Sequence, residues 1–378
     1  MATAWRPAGP VGKCWECPRG YLMQDATESH LAYFGLHEQP FAPTADPVYF
    51  YATREHRECL FRVWNSIDAR HGIVVVLGHY GTGKTTLLRK LLTGMKADPG
   101  KYLTAVVGSP IPSWTSFALL ESIVAQFGVQ PDKQSFVAYM EALNQHLLRH
   151  RDKVVTLVID DAQNLNKRGQ LELLRLVQNL ETHQHKLLNL VMFAQMEWTQ
   201  VIQAAPNFAQ RINLTYTLQP IQFDEARQFI EFRLQQAGAT PEHGPHFEET
   251  ALRAVHAFAE GNPRVMVTLC RNALILAEQV RTRHINTELV LHTIDKTTVP
   301  APERRARAAA AALQSGATPA AVRQAAAPAT ADPAASAEPA AGGPETGQPV
   351  RAGGDTRTRE QRASELLLRA ARQRGESS

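Results

Sequence analysis

The run Ile73-Val74-Val75-Val76-Leu77, followed at once by Gly78-His79-Tyr80-Gly81-Thr82-Gly83-Lys84-Thr85, constrains this chain more than any other stretch. An unbroken apolar run rich in β-branched residues reads as a strand buried on both faces. The residues after it fit G-x-x-x-x-G-K-[ST], and Thr86-Leu87-Leu88-Arg89-Lys90-Leu91-Leu92 reads as a helix. A strand, a glycine-rich turn and a helix N-terminus in that order converge backbone N–H groups on one point, which suits a polyphosphate. Lys84 adds a mobile positive charge there, and the Thr85 hydroxyl suits Mg²⁺. Residues 78–86 are therefore the expected contacts of a nucleoside triphosphate, ATP with Mg²⁺.

Such a site needs a carboxylate for the metal and a group that orients the attacking water. Val154-Val155-Thr156-Leu157-Val158-Ile159 reads as a second buried strand, and Asp160-Asp161 stand at its C-terminal end. Asp160 is the expected metal-side acid, so the metal ligands are Thr85 and Asp160. Asp161 is the candidate for polarising water. The alternative is that both acids cap the helix that follows.

Further strands are expected at 103–107, 188–194 and 214–218, with helices at 86–93, 114–127, 134–149, 168–181 and 197–204. Strands separated by helices give a parallel sheet covered on both faces. From Leu31 to Phe50 the prolines predict an irregular wrapping segment, and Arg54 to Ala69 carries a helical stripe. After Pro220 the strands stop, and 223–237, 248–259, 263–281 and 286–296 carry helical spacing. The expected organisation is a poorly ordered leader over 1–30, an α/β core over 31–222 and a small helical lid over 223–298. Residues 299–378, rich in Ala, Pro, Gly and Ser, read as a disordered tail, with a short amphipathic patch near 359–374 suited to docking. Patterning begins only after Met23, which makes it an alternative start to Met1; the intact mass of the natural protein decides.

Composition excludes several classes. The formal net charge of +4 with both signs interspersed does not announce a nucleic-acid protein. No apolar stretch approaches the roughly 18 residues of a membrane-spanning helix, and the N-terminus lacks a secretory h-region. Four cysteines make no disulfide framework, so a cytoplasmic location with reduced thiols is the expectation. Cys14 and Cys17, and His146 and His150, have metal-like spacings but no further ligands beside them to complete a site.

Taken together, these motifs identify the chain as resembling AAA+ ATPases of the ExeA/GspA family, secretion and pilus-assembly ATPases whose domain type recurs in TnsC/TniB-like transposition regulators. The resemblance runs from about Tyr33 to Thr297. Besides the phosphate loop it rests on Tyr33-Phe34-Gly35-Leu36 with Pro40-Phe41, Ile159-Asp160-Asp161-Ala162-Gln163-Asn164-Leu165, Asn179-Leu180-Glu181, Ala209-Gln210-Arg211-Ile212 and Gly261-Asn262-Pro263-Arg264. It implies a polar sensor role for Gln195 near the γ-phosphate and an arginine finger in Arg211 reaching a neighbouring subunit. It also implies a lid arginine in Arg264 over the nucleotide, and an adenine-bordering position for Phe41. A solvated strand end for Gln195 and a plain surface arginine for Arg211 are the bland alternatives. Family members mostly follow the metal aspartate with glutamate, whereas this chain has Asp161, about 1.5 Å shorter, which predicts slow basal hydrolysis.

The resemblance implies an ATP hydrolase that forms a ring or spiral of its own copies and drives assembly or switching of a partner complex, here with no membrane anchor in view. The partner is unidentified, with the tail as a docking route. The alternative is a cytosolic ATP-dependent DNA-binding regulator of transposition, for which the sequence offers little. A third reading, ATP as a structural ligand that is not hydrolysed, follows only from Asp161.

Overall fold

The computed structural model describes residues 30–44, 46, 48–183 and 185–317. The expectations for the leader before His30 and for the patch near 359–374 lie outside the described residues. Five strands form one parallel sheet: β1 (Ile73–Gly78), β2 (Tyr102–Val107), β3 (Val154–Ile159), β4 (Asn189–Ala194) and β5 (Ile212–Leu218). Their order across the sheet is β2-β3-β4-β1-β5. The three inner strands are buried throughout, while β2 and β5 at the edges are partly exposed.

Successive side chains of a strand point to opposite faces, and the apolar runs supply both. Ile73, Val75 and Leu77 of β1 pack with α3 (Ser116–Gln126), α4 (Phe136–Arg149) and α5 (Arg168–Gln178). Val74 and Val76 face the other way, against α1 (Arg54–Asp68) and α2 (Lys84–Lys96). Buried Asn189 ties the end of α1 to the sheet, its Nδ2 donating to the Ile67 carbonyl at 3.1 Å and its Oδ1 accepting from Gly72 N–H at 3.2 Å. Two short helices, α6 (Trp198–Gln203) and α7 (Pro206–Ala209), connect β4 to β5.

The second core belongs to α8 (Phe223–Gln236), α9 (Glu249–Ala259), α10 (Pro263–Gln279) and α11 (Thr287–Thr297). Three findings depart from the sequence reading. Strands do not stop at Pro220: β6 (His246–Phe247) and β7 (His284–Ile285) pair in parallel, too short for periodicity to reveal. Phe34, Leu36, Phe41 and Tyr49 lie in the second core, so the wrapping segment packs with the lid helices rather than with the sheet. The expected disordered tail begins with a helix, α12 (Pro302–Gln314), whose Ala308 and Ala312 are fully buried. Small alanines four residues apart let α12 approach α9 closely, and alanine is the strongest helix former. Arg304 and Arg307 of α12 reach Glu260 at 3.3 and 2.5 Å, and Arg305 pairs with Asp295. Composition suggested a tail; local propensity and these pairs make a helix. Beyond residue 317 the tail lies outside the described residues.

Among the described residues no helix is long and apolar enough to cross a membrane, and no group of three or more His, Cys, Asp or Glu could hold a metal. His146 and His150 lie with ring centroids 4.4 Å apart.

Candidate nucleotide site

The C-terminal ends of β1, β4 and β3 are neighbours, which brings the phosphate loop, Gln195 and Asp160-Asp161 to one edge. The loop needs glycine where the backbone turns left-handed. Gly81 and Gly83 have φ of +83° and +91°, and a Cβ on Gly81 would stand 2.5 Å from the Asn262 Oδ1. Within α2 the first amide to find a carbonyl is that of Leu87, bonded to Gly83 at 2.9 Å. The N–H groups of Lys84, Thr85 and Thr86 therefore project from the helix start, as an anion site requires.

Buried Lys84 donates from Nζ to the carbonyls of Gly78 and His79, both at 2.9 Å. Burial pulls its pKa down, opposed by Asp160 and Asp161. Burial also raises that of Asp160, opposed by hydrogen bonds from Thr85 and the Asp161 amide. The Thr85 Oγ1 donates to Asp160 Oδ2 at 3.0 Å. Two adjacent oxygen ligands of an octahedral Mg²⁺ with bonds of about 2.1 Å stand about 3 Å apart. The pair thus fits that cation.

Asp161 adopts the left-handed conformation with φ of 49°. Its Oδ1 accepts from Gln163 Nε2 at 3.0 Å, and its Oδ2 accepts from Ser109 Oγ at 3.4 Å. The Gln163 Oε1 in turn accepts from the Gln195 N–H at 3.1 Å. One amide side chain therefore fixes both the second acid and the end of β4. The sequence reading quoted Gln163 within a motif but gave it no role; its signal is its place two residues after Asp161.

A cavity of about 370 Å³ runs from these residues to the helices of the second core. Tyr80, Gly81, Gly83 and Lys84 line it, with Thr85, Thr86, Asp161, Gln195 and Arg264. Gly78, His79 and Thr82, expected contacts as well, do not line it; buried Thr82 donates to the His79 carbonyl at 2.8 Å. Arg264 stacks its guanidinium over the Tyr80 ring at 4.6 Å. Asn262, quoted within a motif by the sequence reading but given no role, joins the lid helices to the phosphate loop: its Nδ2 donates to the Tyr80 carbonyl at 2.6 Å while its Oδ1 caps Arg264 N–H at 3.0 Å. An asparagine before a proline at a helix start was its signal. His56 was also missed; its Nε2 lies 3.2 Å from the Thr82 carbonyl and its Nδ1 2.8 Å from Thr53 Oγ1.

One expected residue lies elsewhere. Phe41 is fully buried in the second core, and Ala42, Pro43 and Thr44 line the cavity in its place, because an aromatic next to proline there fills the hydrophobic interior. Arg211 is exposed just before β5 and does not line this cavity. It lies near Glu181, whose carboxyl is held below the usual range by a hydrogen bond from Lys186, with Arg211 adding to the effect.

A family model described as AAA domain matches residues 67–202, from the end of α1 through β4 to α6. General secretion pathway protein A of Aeromonas hydrophila is 34% identical over 253 residues, covering 66% of this chain and 45% of that protein. The chain thus spans somewhat under half the length of this curated relative. Among solved structures, Cdc6p from Pyrobaculum aerophilum superposes with a TM-score of 0.54 at 19% identity, over 70% of this chain and 72% of that one, a likeness of fold. With the loop, the paired aspartates and the cleft beside them in place, the chain is a P-loop ATPase with an AAA domain over residues 67–202, similar over 66% of its length to General secretion pathway protein A.

Proposed function

We propose that this ATPase couples slow ATP hydrolysis to movement of its helical domain, and through that to assembly of a secretion-type complex. The observation that carries the reading is the link across the cleft, where Asn262 and Arg264 bond to and stack on Tyr80 of the phosphate loop itself. A triphosphate on that loop contacts both domains at once, so it favours the arrangement in which both reach it.

The amides of residues 84–86 and the Lys84 ammonium hold the phosphates, and Arg264 closes from the second domain. Thr85 and Asp160 are the residues that hold Mg²⁺, which supplies charge neutralisation on the phosphates. Asp161, steadied by Gln163 and Ser109, orients a water and accepts its proton as the water's oxygen bonds to the terminal phosphorus and the bond to the bridging oxygen breaks. Gln195 stands at the end of β4 as the polar sensor. Exposed Arg211 serves a neighbouring copy, which makes the active form a homo-oligomer, and a cytoplasmic location suits a nucleotide-fed switch. The secretion role rests on the similarity to General secretion pathway protein A.

Phosphate release from ATP and Mg²⁺, compared with Lys84→Ala and Arg211→Ala, tests this. Release above the Lys84→Ala background, growing more than linearly with protein concentration and lost in Arg211→Ala, is expected. Release equal to that background refutes hydrolysis, and a linear dependence refutes the role of Arg211. ATP-dependent binding to duplex DNA that falls steeply with salt would replace the secretion role with the transposition one.

A further inference from the structure

Arg233 is a cation with too few partners. It sits on α8, only 7% exposed, in the second core. A guanidinium carries five N–H donors and does not deprotonate in proteins. Here Nη1 donates to the Pro40 carbonyl at 2.9 Å, and Nε is buried with no hydrogen-bond partner. No carboxylate forms an ion pair with it among the described residues; its charge rests against the ring faces of Tyr49 and Phe229, with centroids 5.4 and 5.2 Å away. Burying an arginine this way is costly unless something completes its hydrogen bonding.

The place from which a partner can enter is the cavity, which Arg233 lines together with Tyr49, Ile221, Phe229 and Val267. The same cavity is lined by Lys84 and Thr85 on its phosphate-loop side. Apolar walls around one strong donor are what a flat heteroaromatic ring with acceptor atoms on its edge requires. We infer that Arg233 recognises the base of the bound nucleotide, donating from its guanidinium to a ring nitrogen or carbonyl oxygen. This rests on the nucleotide reading above and adds a base-specific contact to it. The polyphosphate loop alone cannot distinguish ATP from a bare chain of phosphates. Arg233 supplies the distinction.

The structure offers a competing role, that Arg233 serves only to hold the Pro40 carbonyl and so fix the wrapping segment. Calorimetric titration of the full chain with Mg²⁺ and either ATP or inorganic tripolyphosphate separates the two, using wild type, Arg233→Met and Arg233→Lys. A hydrogen bond from a charged donor contributes enough for about a 10- to 100-fold preference. The expected result is that wild type prefers ATP over tripolyphosphate, and that both variants lose about 10-fold or more of that preference while tripolyphosphate affinity stays within about twofold. Arg233→Lys keeps the buried charge without the planar fork, so it reads the same preference should Arg233→Met fail to fold. An unchanged ratio in the variants, accompanied by a lower melting temperature without ligand, assigns Arg233 to the wrapping segment and overturns the inference. Equal binding of ATP and tripolyphosphate by wild type also overturns it while leaving the phosphate site intact. Failure of wild type to bind either ligand refutes the nucleotide reading instead.

Discussion

Replacing Asn262 separates two jobs that one amide performs. Its Oδ1 caps α10 by accepting from Arg264 N–H at 3.0 Å, and its Nδ2 crosses to the phosphate loop at the Tyr80 carbonyl, 2.6 Å away. Losing an N-cap costs about 1 kcal/mol, and a neutral hydrogen bond between partly exposed groups contributes about 1 kcal/mol net. Serine caps nearly as well as asparagine but is too short to reach Tyr80. In the ligand-free protein with its cleft open, Asn262→Ser should therefore cost little and Asn262→Ala about 1 kcal/mol, the loss of the cap alone. Nucleotide affinity should respond differently. The cap is present whether or not ligand is bound, whereas the crossing bond favours the closed cleft. Both variants should weaken ATP binding alike, by about fivefold for about 1 kcal/mol. Thermal unfolding without ligand and calorimetric titration with ATP measure the two quantities separately. Unchanged affinity in both variants, or a loss in Asn262→Ala that Asn262→Ser does not share, refutes the idea that this bond holds the domains together.

Four other perturbations follow from the same geometry. Burial raises the Asp160 pKa, so its ionisation in the native state costs stability from the unfolded value upward; Asp160→Asn should raise the melting temperature at neutral pH without Mg²⁺ while abolishing Mg²⁺-dependent ATP binding, and a lower melting temperature counts against this. Burial lowers the His56 pKa, so stability should be flat above about 6.5 and fall as pH drops below it; His56→Gln should remove part of that fall in melting curves between pH 5 and 8, with His30 and His146, shifted the same way by burial, supplying the rest. Ala308→Leu should destabilise by about 1–3 kcal/mol in a denaturant titration, because the fully buried alanine leaves no room against α9, and no effect would mean that α12 does not pack there. Asp161→Glu should raise phosphate release if side-chain length limits hydrolysis; an equal or lower rate shows that the hold of Gln163 and Ser109 on the shorter acid is already productive.

What could be read from the sequence was whatever one local segment determines. The inner strands announced themselves because burial on both faces demands unbroken apolar runs, and Asp160 because an acid stood at the end of such a run. Other roles depended on partners far along the chain. Gln163 reads as an ordinary helix-turn residue until β4 brings the Gln195 amide to it. Arg233 did leave a trace: it continues the buried stripe of Ala226, Phe229, Ile230 and Leu234 on α8, where an apolar residue belongs. Phe41 was misplaced for the opposite reason, since a motif says that an aromatic is present but not which side of the chain it faces. Residues 302–314 were misjudged because low sequence complexity and high helix propensity coincide in alanine.

The packing of the wrapping segment changes what domain closure does. Phe34, Phe41 and Tyr49 share a core with α8 and α10, and Arg233 bonds back to Pro40, so these residues belong with the lid helices rather than with the sheet. Closer to the sheet, the Arg54 N–H donates to Glu225 at 2.6 Å and Tyr51 to Gln228 at 2.5 Å, pinning the start of α1 to α8. The chain then crosses between the two cores near residues 50–53 and again at Gln219 and Pro220. Phosphates are held by the loop of the sheet domain, whereas the walls around Arg233 belong to the other body. A ligand with both a base and phosphates bridges the two; tripolyphosphate engages chiefly one. Differential affinity for the closed form, the only means by which a ligand can shift such an equilibrium, is thereby built into the division of the site between two cores.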